Sequence, residues 1–184
     1  MRRALIPTLA LLAFSASAVV YAAFAPARQA VAGAHPFSAT NWPFPMDQWG
    51  QGQAFTCTAR DCGSEISVYV RPKVGFCNCT TGVADDEDLE RLADFDLFTN
   101  KQVAAAPGRP IEVGWMKGRS RPYLFVGSFR RQKSALTIAF NDNCDAIVAT
   151  AVSDGGNYKD MESHVLKFLN DDTMIHWVAK TLGL

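Results

Sequence analysis

The sequence predicts an α+β fold: a single domain with a mainly antiparallel sheet packed against helices, a C-terminal helical pair and disulfide staples. Three observations lead there. Apolar residues alternate with polar ones over several short runs, as half-buried strands require. The segments 85–98 and 160–184 switch to helical spacing instead. Five cysteines follow an N-terminal segment laid out like an export signal, and outside the cytoplasm oxidation is their default fate.

Arg2 and Arg3 precede an uncharged, Ala- and Leu-rich stretch ending in small residues, the layout of a secretory signal peptide. Small residues at Val20 and Ala22 put the cut after Ala22, whereas a cut after Ala25 would meet Pro26. An uncleaved anchor is the alternative, because the stretch exceeds the ~20 residues that span a bilayer. The organisation expected is therefore residues 1–22 as signal peptide or N-terminal anchor, 23–41 as a flexible Ala/Gly/Pro tether, and 42–184 as the globular domain. The product is exported, periplasmic or secreted, and held at the inner membrane only if the N-terminal segment stays attached.

Within the domain, "NWPFPMDQWGQGQAF" (41–55) combines Trp42, Phe44 and Trp49 with Pro43 and Pro45. Proline removes amide donors and blocks helix, so this is an extended arm whose aromatics lie across the core. Residues 65–71 alternate and are β-branched, giving a strand that Pro72 ends or confines to a sheet edge. Acids at the start of 85–98 suit the positive end of a helix, expected over 86–94 with Asp85 as its cap. Strands follow at 111–116 and 123–129, with a basic turn between them that carries Gly118 and Pro122. Leu136, Ile138 and Phe140 alternate on one face of the next strand, Asn141-Asp142-Asn143 turns the chain, and 146–152 returns. Met161, Val165 and Phe168 then share a helical face. A second helix start at Asp171 or Asp172 leads to Ile175, Val178 and Leu182. No strand–helix–strand alternation suggests a parallel sheet.

Eighteen basic and eighteen acidic residues cancel, which argues against a general nucleic-acid role. The charges are nevertheless segregated. Asp85, Asp86, Glu87, Asp88, Glu90, Asp94 and Asp96 crowd one segment, and Arg109, Lys117, Arg119, Arg121, Arg130, Arg131 and Lys133 another. They read as two solvated surfaces, or as a bipolar surface that orients a partner. Lys117, Arg119, Arg121, Arg130 and Arg131, with Trp42 and Trp49, are the partner-binding candidates.

Geometry constrains the cysteines Cys57, Cys62, Cys77, Cys79 and Cys144. Residues two apart on a strand sit roughly 6.5 Å apart, whereas a disulfide wants Cβ atoms about 3.8 Å apart. Cys77 and Cys79 therefore pair only if the chain bends. Cys57 and Cys62 flank "TARD", read as a hairpin turn, and form a local staple. Cys144 joins Cys77 or Cys79 across a long loop. A thiolate site for zinc or Cu(I) from Cys57, Cys62, Cys77 and Cys79 departs from the common ligand spacing, and no cofactor is expected. A redox pair at Cys77 and Cys79 lacks a following helix N-terminus to acidify the first thiol.

His35, His164 and His176 show no metal-protease spacing, and no nucleophile elbow, P-loop, dinucleotide glycine pattern or calcium-loop spacing appears. Ser128 and Ser134 have no histidine at a recognisable interval. The sequence thus points to a non-catalytic envelope domain that binds another envelope protein or a surface component. The alternative is a thiol-dependent accessory factor using Cys77 and Cys79.

Overall fold

A computed structural model of the chain describes residues 35–75, 78–126, 132–155 and 157–184. The expected signal peptide and most of the tether, with Cys77, Ser128, Arg130 and Arg131, lie outside the described residues. What is described is an α+β domain built on one antiparallel sheet. Its elements in chain order are β1 (Ser38–Thr40), β2 (Gln53–Cys57), α1 (Ala59–Cys62), β3 (Ile66–Lys73), α2 (Asp86–Leu92), a 3-10 turn (Phe95–Leu97), β4 (Gln102–Ala104), β5 (Arg109–Val113), β6 (Met116–Val126), β7 (Gln132–Asp142), β8 (Asp145–Ser153), α3 (Tyr158–Leu169) and α4 (Asp172–Leu182). The sheet runs β1-β2-β3-β8-β7-β6, and the far side of β6 is shared end to end by β4 and β5.

Strand alternation sends side chains to opposite faces, and both faces are covered. Ile66, Val68 and Val70 of β3, with Leu136, Ile138 and Phe140 of β7 and Ile147, Ala149 and Ala151 of β8, meet Met161, Val165, Phe168, Met174, Val178 and Leu182 of the terminal helices. On the other face, Ala139, Ala146 and Val148 meet Leu89 and Leu92 of α2, while Tyr123, Phe125 and Ala135 meet Phe95 and Phe98. The helices α2, α3 and α4 start on side-chain caps: Asp85 accepts from the Asp88 amide, Asn157 from Lys159 and Asp171 from Thr173.

The structure departs from the sequence expectations at five places. Residues 35–41, expected in the tether, belong to the domain: β1 pairs with β2 and buried Phe37 stacks on Phe168 at 4.7 Å. Burying one such phenylalanine contributes roughly 1.5–3 kcal/mol, enough to fix a short strand that no apolar period announces. The "TARD" segment is not a hairpin turn but the helical turn α1. β3 neither stops at Pro72 nor lies at an edge, since it pairs with β2 and β8. Its pairing with β2 ends at Val70, so Pro72 falls where the strand has only β8 beside it.

The basic segment expected as a turn is the body of β6. The turn lies earlier, at Gly114-Trp115, because Gly114 takes φ +59°. Gly118 stays in the strand for a different reason: a Cβ there would stand 2.2 Å from the Ala139 carbonyl oxygen. Pro122 is tolerated because β5 pairs only as far as Ser120 and β4 begins at Tyr123. Finally, α2 ends at Leu92 rather than Asp94, which frees the Asp94 carboxylate to turn into the sheet.

Candidate binding cleft

Ser67, Tyr69, Arg71 and Lys73 alternate with the core residues of β3 and so point away from the terminal helices. The first two help form a cavity of about 440 Å³. The extended arm contributes Pro43 and Phe44, the 3-10 turn Leu97 and Phe98, β6 Phe125 and β8 Val152. The rings crowd one another: Phe44 lies 5.1 Å from Tyr69 and 4.9 Å from Phe98, and Tyr69 lies 5.2 Å from Phe98. Phe98 in turn lies 5.8 Å from Phe125. Pro43 is exposed and Phe44, Leu97 and Phe98 are half-buried, so the cavity opens to solvent. Glu65, Lys133, Ser153 and Asp154 complete its lining, with Lys133 paired to Asp154 at 2.9 Å. Such a largely apolar cavity with a few polar groups is what ligand recognition uses.

The other half of the β3 face holds a buried charge cluster that sequence reasoning missed. Arg71 grips Asp94 with two donors, Nε to Oδ2 at 2.6 Å and Nη2 to Oδ1, while its Nη1 reaches both Asp47 oxygens at 2.8 Å. Lys73 Nζ adds a 2.6 Å bond to Asp94 and lies 4.6 Å from the centre of the Trp49 ring. Two cations thus face two carboxylates. The Arg71 bond holds Asp47 below the usual carboxylate range. Burial works against the Arg71 charge, but its bonds to Asp94 and Asp47 prevail and raise its pKa. A signal did exist: Arg71 and Lys73 keep the strand period on the face that carries Tyr69.

The segregated charges of the sequence meet each other. Because α2 lies over β6, Arg119 binds Asp86, and Arg121 reaches Asp86 at 3.4 Å and Glu90 at 2.6 Å. Burial would raise the Asp86 pKa, but the bonds from Arg119 and the Gly108 amide outweigh it and lower it. Instead of two separate solvated surfaces, Asp86, Glu90, Arg119 and Arg121 form one partly exposed seam between α2 and β6. Lys117 is exposed, Trp42 packs edge-on against Phe44 at 5.3 Å and Tyr69 at 6.1 Å, and Trp49 is half-buried. The aromatics of the extended arm therefore lie on the sheet.

A second cavity, between β5, β6 and α3, is bounded by Arg109, Tyr158, Lys159 and Glu162. Its carboxylate is already engaged: Glu162 accepts from Arg109 at 3.0 Å and from Ser120.

Two disulfides form, Cys57–Cys62 and Cys79–Cys144, and bridges of this kind suit a protein matured in an oxidising compartment. Three of the four sulfurs considered for a metal site, those of Cys57, Cys62 and Cys79, are therefore not thiols here. His35 packs edge-on against Phe168 at 4.6 Å, His164 is half-buried and His176 is exposed. Among the described residues, no helix is long and apolar enough to cross a membrane.

The class defined is an α+β domain with a single antiparallel sheet covered on both faces and an aromatic cleft under its extended arm. No protein-family model and no curated protein matches the chain. It is similar to the crystal structure of PA94, a protein of unknown function from Pseudomonas aeruginosa, at 12% identity and a TM-score of 0.40, over 82% of this chain and 96% of that one. So distant a likeness carries no function across.

Proposed function

We propose that the protein is an exported, non-catalytic binding domain of the cell envelope, periplasmic or secreted, that holds a segment of another envelope protein in the aromatic cleft. One observation carries the reading: Phe44, Tyr69, Phe98 and Phe125 line a solvent-open cavity of about 440 Å³, and aromatic side chains dominate the energetics of protein interfaces. The signal-like N-terminal sequence and the two disulfides support the compartment. The thiol-dependent alternative is less favoured, because Cys79 is bonded to Cys144.

A photoreactive phenylalanine analogue placed at Leu97 in the living cell tests the proposal, with the same analogue at exposed His176 as the control. A discrete protein adduct is expected from position 97 and not from 176. Equal yields at both positions, or none at 97, would refute it.

A further inference from the structure

We propose that the cleft recognises a basic side chain, an arginine or lysine carried by the partner's segment; this rests on the cleft being the binding site. The cleft wall is aromatic rather than merely apolar, and the face of an aromatic ring is its negative side. Phe44, Tyr69 and Phe98 stand within 4.9–5.2 Å of one another, so a cation entering beside them meets several rings. Leu97 supplies aliphatic surface for the methylene stem, which long basic side chains bury while keeping the head polar.

Among the described residues, the ionisable groups of the lining favour a cation. Those lining the cavity among the described residues are Glu65, Asp154 and Lys133, two carboxylates against one ammonium. Lys133 and Asp154 pair with side chains 54% and 82% exposed, a pair weak enough to exchange partners. Glu65 is exposed, and no ion pair engages it among the described residues. An anionic side chain would meet Glu65 unfavourably. A purely apolar anchor would gain nothing from either carboxylate.

The full chain titrated by NMR with N-acetyl-arginine methylamide, and separately with the neutral citrulline analogue of the same shape, decides the matter. The ring signals of Phe44, Tyr69 and Phe98 are followed, with exposed Trp115 as the remote reference. The arginine probe is expected to shift the ring signals and to bind roughly fivefold tighter than citrulline, with the gap narrowing as salt rises. Glu65→Gln, at an exposed position that leaves folding intact, is expected to bring the two affinities within about twofold. Equal affinities in the native chain, or an unchanged ratio in Glu65→Gln, would overturn the inference. If position 97 still forms its adduct in that case, the cleft remains a binding site and only the cationic occupant is wrong. If neither probe moves the rings and no adduct forms, both readings fall.

Discussion

Asp94→Asn is the most informative single substitution in the domain. Asparagine keeps the shape of the side chain but removes the charge that two cations share. Arg71 and Lys73 expose only 3% and 6% of their side chains, and Asp94 7%, so solvent cannot replace the lost carboxylate. Arg71 retains Asp47, whereas the ammonium of Lys73 loses the negative charge that it bonds at 2.6 Å. Breaking a buried pair from one side costs about 3–5 kcal/mol, which for a domain of this size lowers Tm by roughly 6–20 °C. Asp47→Asn is the internal comparison. Asp47 is 36% exposed, so its loss is expected to cost only about 1 kcal/mol. Urea unfolding followed by tryptophan fluorescence measures both. Adding Lys73→Met to Asp94→Asn should recover part of the loss, because one buried cation is then gone. If Asp94→Asn costs no more than Asp47→Asn, the cluster does not hold α2 and the 3-10 turn onto the sheet, and the reasoning fails.

Three further outcomes follow from the same structure. Replacing Cys79 and Cys144 by serine should cost about 4 kcal/mol and replacing Cys57 and Cys62 about 2 kcal/mol, because the bridges span 65 and 5 residues; paired denaturant titrations would show a reversed order if loop closure is not the cause. Asp86 has a lowered folded pKa, so its stabilisation is complete above the unfolded value of about 3.9 and is lost as pH falls through the folded value. Asp86→Asn should therefore cost about 1 kcal/mol at neutral pH and flatten the acid limb, which unfolding midpoints at neutral and acid pH would reveal. Gly118→Ala should destabilise by about 1–3 kcal/mol through overpacking, since the new methyl meets the Ala139 carbonyl and the Phe140 backbone; unchanged thermal stability would mean β6 can shift.

What the sequence made legible was whatever local periodicity encodes. Alternation at Leu136, Ile138 and Phe140 announced the β7–β8 hairpin, and the helical spacing of Met161, Val165 and Phe168 announced α3. Disulfide geometry narrowed Cys144 to Cys77 or Cys79, and the structure selects Cys79. The failures share a cause, namely partners distant in the chain. Arg119 and Arg121 read as part of a turn because nothing near them reveals that α2 will lie across their strand and accept their charges. Nothing local marked Arg71 and Lys73 as buried, because the carboxylate that they share comes from Asp94, beyond a whole helix. The cleft was half legible: Phe44 belongs to an arm expected to cross the core, but Phe98 and Phe125 reach it only through the fold.

The two sulfur bridges also impose a timetable. A ribosome delivers the chain N-terminus first, so Cys62 arrives almost with Cys57 and the small ring can close at once. Cys79 must wait for 65 more residues before Cys144 arrives. Throughout that interval its nearest sulfur in the chain is Cys77, so the native bridge forms only if Cys79 passes over that neighbour for a cysteine far downstream.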